Sequence, residues 1–288
     1  MYRPTRRQAV ATLTAALGGA AAGLVLPAPR AAAHEAGATP LRRAHAHNDY
    51  LHARPLLDAL GHGFTSVEAD IFLRDGRLLV AHEEATLDPA RTLEALYLQP
   101  LARRVALNRG SVYAGYPHPV QLLVDIKDRG EATYLELARV LRRYRGLFSY
   151  AVDGRVHPRA VTAVISGDRA ARVPMEAERV RYAFYDGRLT DLETDAPASF
   201  IPLVSGNWNA GFTWQGVGEM PADQRELLHR IAGLCHARGQ RLRFWATPDV
   251  AGEARDAVWS ELLAAGVDHL NTDDLAGLEA FLRARGGA

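Results

Sequence analysis

The sequence predicts an α/β fold closed as a (β/α)8 barrel, on three observations. Short apolar runs alternate with segments of helical periodicity, the pattern of parallel β/α units. About eight such runs fit into roughly 245 residues, the usual size of one closed barrel. No G-x-G-x-x-G follows the first strand and no P-loop occurs, which removes the main reason to prefer a doubly wound sheet. One TIM-barrel domain is therefore expected over residues 42–288.

The elements follow in order. Residues 43–47 read as a short strand and 54–60 as a helix that stops at Gly61 or Gly63. Residues 66–72 form a second strand, and the Asp75-Gly76 dipeptide turns it back into a partner over 77–82, because D-G favours the tight hairpin turn. Helical periodicity resumes near 93–106 and is followed by a loop rich in Gly, Pro and Tyr. The rest is more regular. Strands are expected at 121–126, 161–166, 181–185, 201–205, 241–246 and 268–271, and helices at 131–144, 169–179, 224–239, 251–265 and 275–283.

The first 33 residues stand apart. Arg3, Arg6 and Arg7 precede an apolar run from Ala9 to Leu26, and Ala31-Ala32-Ala33 offers a small-residue cleavage site. This is the pattern of a secretory signal peptide, here of twin-arginine type. It is followed by a polar linker over 34–41. Export to the periplasm or the extracellular space is expected, with an uncleaved N-terminal anchor as the alternative. Residues 1–33 carry four arginines and no acid, so the remainder, with 30 basic and 33 acidic side chains, is net −3. That balance gives no reason to bind nucleic acid or an anionic membrane by bulk charge. No later segment reaches the roughly 18 apolar residues of a membrane span, so no stable membrane insertion is expected after signal removal. The composition, 48% hydrophobic and 23% charged, excludes global disorder. Cys235 is the only cysteine. That rules out an internal disulfide and a cysteine-clustered zinc site, and its helical setting reads as a buried apolar cysteine. Oligomeric state leaves no mark.

In a barrel, chemistry gathers at the C-terminal ends of the strands, and several of these ends are polar. The first closes on His45-Ala46-His47-Asn48, the second on Glu68-Ala69-Asp70 and the third on Asp125-Ile126-Lys127, while the hairpin returns to His82-Glu83. Residues two apart on a strand share a face, so Glu68 with Asp70, and Asp125 with Lys127, project as pairs. Carboxylates inside apolar strands must be paired, hydrogen-bonded or metal-bound. Three converging acids favour a hard divalent cation with oxygen ligands, Mg2+ or Ca2+. A structural salt-bridge cluster around Lys127 is the plainer reading. Lys127 is the only lysine beside 33 arginines, a compact point charge suited to a phosphoryl oxygen or to keeping Asp125 ionised.

This ordered set resembles the phosphatidylinositol-phospholipase-C-like phosphodiesterase superfamily, and within it glycerophosphodiester phosphodiesterases and their secreted relatives. The matching positions are His47, the Glu68/Asp70 pair, His82 a dozen residues on after a D-G turn, and Asp125 in VDIKD. The late segment GVDHLNTDD, residues 266–274, resembles the family's last strand and its exit. The common enzymes carry His-Arg-Gly at the first histidine and a Glu-Asn-Thr signature after it, and have His-Asp where this chain has His82-Glu83. Here the sequence is His47-Asn48-Asp49-Tyr50, the form of a divergent branch.

The resemblance implies a TIM-barrel phosphoric diester hydrolase acting on a small-molecule or lipid phosphodiester. Glu68, Asp70 and Asp125 would bind one divalent cation, and His47 and His82 would act as base and acid. His45 is the rival of His47. Asn48, Lys127, Arg243 and Trp245 are candidates to bind substrate, with Arg43 or Arg54 as other cations for the phosphate. Ser166, Ser205, Asn207 and Asn271 are further candidates for the rim, and Tyr50, Trp208 and Trp214 for an apolar lip or for the core. Asp49 is expected to cap or form a loop. Two other functions stay open. One is a metal-dependent hydrolase of the amidohydrolase kind, since His45-Ala46-His47 imitates its opening H-x-H. The other is a secreted binding protein that has lost catalysis.

Overall fold

The computed structural model describes residues 37–286; the expected signal peptide lies outside them. In chain order the elements are β1 (Leu41–Ala46), α1 (Leu57–Gly61), β2 (Phe64–Arg74), β3 (Arg77–Val80), α2 (Gln99–Leu107), β4 (Val120–Ile126), α3 (Gly130–Arg143), β5 (Tyr150–Val152), β6 (Arg155–His157), β7 (Val161–Gly167), α4 (Arg172–Ala177), β8 (Val180–Arg181), β9 (Phe184–Arg188), β10 (Leu203–Asn207), α5 (Trp208–Gly211), α6 (Ala222–Ala237), β11 (Arg241–Trp245), α7 (Glu253–Ala264), β12 (His269–Thr272) and α8 (Leu275–Ala284).

Eight parallel strands, β1, β2, β4, β7, β9, β10, β11 and β12, pair in that order, and β1 also pairs with β12 to close the barrel. β3 runs antiparallel along the upper half of β2, with Ile71 opposite Val80. The turn between them has Asp75 and Gly76 both at positive φ, 49° and 71°, the twist a two-residue hairpin needs. Among the described residues no helix is long and apolar enough to cross a membrane.

The main core lies between the strands and the helices around them. Cys235 is buried there as a free thiol. Inside the barrel the two halves differ. Leu123, Val164, Phe184 and Leu203, from β4, β7, β9 and β10, form a small apolar cluster together with Ala151 of β5. From β1, β2, β11 and β12 come buried His45, Ser66, Glu68, Arg243, His269 and Asn271. That polar half leads up to the mouth.

One expected strand is displaced. Residues 181–185 were the apolar signal, but the barrel strand is β9 at 184–188, while Val180–Arg181 joins β5 and β6 in a three-stranded antiparallel sheet. Strands of two or three residues are too short to show a period in sequence. β9 itself ends in Asp186-Gly187-Arg188 because it faces polar neighbours: the buried Asp186 carboxylate accepts from Ser166 Oγ (2.8 Å), Ser205 Oγ (2.7 Å) and Arg188 (2.8 Å).

Candidate metal centre and active site

Parallel pairing places Asp70 of β2 directly beside Asp125 of β4, and Glu68 sits two residues below Asp70 on the same face. One carboxylate oxygen from each of Glu68, Asp70 and Asp125 lies within 4.8 Å of the others. Lys127 reaches into this group, its Nζ 3.1 Å from Asp70 Oδ2 and 3.7 Å from Asp125 Oδ1. Asp70 Oδ2 is crowded, since it also accepts from Tyr50 OH at 2.8 Å and lies 3.2 Å from His82 Nδ1. Its other oxygen, Oδ1, is buried with no hydrogen-bond partner among the described residues.

That stranded oxygen tests whether a cation fits. A buried carboxylate oxygen without a donor is costly, and a divalent ion shared with Glu68 and Asp125 would satisfy it. The electrostatics agree. Burial, then the charges of Asp70 and Glu68, push the Asp125 carboxyl up to about 7. Burial and Glu68 push Asp70 up as well, with Lys127 pulling the other way. Burial also opposes charge on Glu68, but the hydrogen bond with His45 and the positive Arg243 hold it below the ordinary carboxylate range. Burial opposes the charge of Lys127 too, yet Asp70 and Asp125 raise it above its usual value. Lys127 above and Arg243 beneath Glu68 leave one of the three acids uncompensated, a charge that a divalent cation would offset.

Two imidazoles stand over the group. His47 follows β1 and is pinned by a backbone bond to Thr272 O at the exit of β12 (3.0 Å). The next residue there, Asp273, takes His47 Nδ1 at 2.8 Å. Asp273 is held in turn by Asp249, whose carboxylate accepts from Thr272 Oγ1 and Asp273 N at 2.6 and 2.7 Å. Burial works against charge on His47, but the bond to Asp273 and the negative Glu68 raise it above its ordinary value. His82 comes back along the hairpin, where Ala81 N bonds Asp70 O, and its side chain is 54% exposed. Each ring is held through Nδ1, and neither Nε2 makes a hydrogen bond with a described residue.

His45, the rival, is placed elsewhere. It is fully buried below the mouth, with Nδ1 2.7 Å from Ser66 Oγ and Nε2 3.2 Å from Glu68 and 2.8 Å from Arg243 Nη1. Burial and the Arg243 charge lower it to about 4, so it stays neutral. His45 and His47 thus share no ligand position, as an H-x-H metal pair would require. Arg243 is buried under Glu68, which it bonds at 3.0 Å, along with Ser205 and Asn271. Trp245, two residues further along β11, is 36% exposed at the rim.

Asn48 occupies the left-handed region (φ 48°), which Asn enters more readily than most residues. Its amide reaches Asp273 at 3.3 Å, and its Oδ1 lies 2.6 Å from Tyr50 OH. That hydroxyl is within reach of Asn48, Asp70 and His82 Nδ1 (3.0 Å). With one proton to give, it donates to one acceptor at a time and can accept from the imidazole.

Several readings need correction. Tyr50 is no lip: its ring is buried and its hydroxyl bridges the two sides of the site. For Trp208 and Trp214 the core alternative holds and the lip does not, with Trp208 stacked on Phe212. Ser166 and Ser205 are buried on Asp186 and do not line the rim. Asn207 caps α5 through Asn209 N. Arg43 lies at the start of β1, the far end of the barrel, and Arg54 is paired with Asp58. Asp49 does form the loop, accepting from Leu56 N (2.5 Å) and Tyr97 OH (2.9 Å). The sequence reading passed over Asp273 as a site residue, though it lies in the 266–274 segment, and named Tyr50 for a lip or the core without its hydroxyl at the site. The doubled Asp after NT and the tyrosine closing HNDY were the available signals.

Comparison with known proteins matches residues 35–186 to the AIM6-like phosphodiesterase domain and residues 241–276 to the glycerophosphoryl diester phosphodiesterase family. The chain is 32% identical to Altered inheritance of mitochondria protein 6 of Eremothecium gossypii over 282 residues, 84% of this chain and 69% of that protein. It is 27% identical to the Altered inheritance of mitochondria protein 6 homolog of Arthroderma benhamiae, covering 82% of each. With the Saccharomyces cerevisiae protein of that name the identity is 26%, over 80% of this chain and 68% of the relative.

Proposed function

Because the chain belongs to the AIM6-like phosphodiesterase domain family, we propose that it hydrolyses a glycerophosphodiester or phospholipid-type substrate with one divalent cation, Mg2+ or Ca2+. The observation that carries the reading is the convergence of Glu68, Asp70 and Asp125 around the stranded Asp70 Oδ1, beneath two aspartate-held imidazoles.

Glu68, Asp70 and Asp125 would hold the cation, which when bound would polarise a phosphoryl oxygen and offset the charge gathering there. His47, made more basic by Asp273, accepts the proton of the attacking hydroxyl at Nε2 as the new O–P bond forms. That hydroxyl belongs to the substrate beside the phosphate, giving a cyclic product, or to water. As the old P–O bond breaks, His82 Nε2 gives a proton to the leaving oxygen. Lys127 and Asn48 bind and orient the phosphoryl group at the mouth, and Trp245 walls the pocket. Arg243 keeps Glu68 ionised and supplies positive charge from below.

The test is a substrate panel of glycerophosphodiesters, lysophospholipids, phosphoinositides and bis-nitrophenyl phosphate, run with EDTA and with Mg2+ or Ca2+ added back. Turnover that EDTA stops and one cation restores supports the proposal. Turnover indifferent to EDTA refutes the cation, and none on any diester refutes the reaction.

A further inference from the structure

At the opposite end of the barrel lies a cavity of about 550 Å³ that the proposed chemistry does not use. It opens below the starts of β1, β11 and β12, and part of its wall is the Gly/Pro/Tyr-rich loop before β4, through Tyr116 and His118. Four guanidinium groups line it: Arg42, Arg43, Arg241 and Arg285. None is within ion-pairing distance of a carboxylate among the described residues. Arg241 is held by neutral partners, His269 Nε2 at 3.0 Å and Gln121 Oε1 at 2.6 Å. Arg43 donates to the Val267 carbonyl, and Arg285 lies over the Phe281 ring, 3.7 Å from its centroid. The acid on the wall, Asp268, is engaged through Oδ2 by His236 Nε2 and Leu242 N, both at 2.9 Å.

A second, independent observation comes from His269. It is 2% exposed, lines the cavity, and its Nδ1 has no hydrogen-bond partner among the described residues. Elsewhere this chain pairs its arginines closely with acids, as Arg225 with Glu261 and Arg74 with Asp128. Here it gathers four cations against one carboxylate and leaves a buried ring nitrogen open. Guanidinium groups match phosphate oxygens two at a time, and the volume suits a compact ligand.

We propose that this cavity is a second binding site, for a phosphomonoester or pyrophosphate anion, distinct from the hydrolytic centre. Arg241 and His269 form its floor, and the exposed Arg42 and Arg285 its gate. The same chemistry reaches the cavity as a free phosphorylated metabolite or as the phosphomonoester headgroup of a lipid.

The experiment is isothermal titration of the full chain with pyrophosphate and with glycerol 3-phosphate in EDTA, beside sedimentation with phosphatidylcholine vesicles with and without phosphatidic acid. Saturable binding that weakens with salt is expected in one arm or both. Soluble anions alone identify a metabolite site, and vesicles a lipid one. Arg42→Gln/Arg285→Gln should weaken binding at least tenfold while diester turnover stays unchanged. The two single variants should each show part of that loss, should the double one fold poorly. His82→Ala and Asp70→Asn should bind the anion as the parent does. Absence of binding in every arm overturns the proposal. So does affinity unchanged in the Arg42 and Arg285 variants, or lost in His82→Ala, which would return the anion to the mouth.

Discussion

At the scale of single residues, His82 and Asp49 show how exposure divides function from stability. The His82 side chain is more than half exposed, and its contacts are polar ones with Asp70 and Tyr50 and a loose stacking on the Tyr50 ring. If it delivers the proton to the leaving oxygen, His82→Ala should lower kcat by about 10²- to 10⁴-fold with thermal midpoint unchanged. Steady-state kinetics and a melting curve on the same preparation check both halves, and undiminished turnover removes the assignment. Asp49 is the reverse case, wholly buried under the mouth loop with Oδ1 unpartnered. Burial pushes it up to about 7, against the pull of its bonds from Leu56 N and Tyr97 OH. A carboxyl raised above its unfolded value of about 4 favours folding while both states are protonated. Its contribution is complete below pH ~4 and is lost as pH climbs to the folded value. Asp49→Asn should therefore gain on the parent in thermal midpoint between pH 5 and pH 8. A constant difference across that range would show that Asp49 does not titrate there.

At the scale of elements, legibility followed periodicity. β2 and β4 were readable because alternation and an apolar background expose every out-of-place acid, and the D-G turn fixed the hairpin that returns His82 to Asp70. The small sheet of β5, β6 and β8 left no period to read. Asp273 was illegible for another reason: its role depends on β12 closing against β1, a contact 226 positions apart, while the role of Tyr50 depends on β2 and its hairpin bringing Asp70 and His82 to the loop after β1. Gly167, at the end of β7, shows how an element positions a ligand. Its φ is +82°, and a Cβ there would lie 2.2 Å from Ile126 O and 2.6 Å from Asp125 Oδ1. Gly167→Ala should cost about 1–3 kcal/mol for the strained backbone and displace the Asp125 carboxylate. Urea unfolding should show the first effect and weaker Mg2+ or Ca2+ binding by calorimetry the second. Cation affinity equal to the parent's would mean that Asp125 is not a ligand, or that β7 yields without moving it.

At the scale of the whole molecule, the polar half of the barrel forms a continuous column. Arg241 at the lower end donates to Gln121 Oε1 (2.6 Å), and Gln121 Nε2 donates to Ser66 Oγ (2.8 Å). Ser66 Oγ meets His45 Nδ1 (2.7 Å), and His45 Nε2 meets Glu68 at the mouth (3.2 Å). Barrels of this class are usually filled with layers of branched apolar side chains. A polar filling is stable to the extent that its members are hydrogen-bonded, since a half-paired buried network is worse than an apolar core. Gln121 is the link that joins the two ends, and it is buried. Gln121→Leu preserves much of the volume but takes one partner from Ser66, which keeps His45, and one from Arg241, which keeps His269, so it should cost about 1–3 kcal/mol for the buried hydrogen bonds lost. Gln121→Glu should cost less. Its carboxylate still accepts from Arg241, now as an ion pair, and the Ser66 hydroxyl can turn its proton toward it, leaving its lone pair to the His45 N–H. The order of stability in urea should be parent, then Glu, then Leu. If Leu proves equal to the parent, the column is a filling that apolar atoms replace without loss, and the hold of Arg243 and His45 on Glu68 does not depend on it.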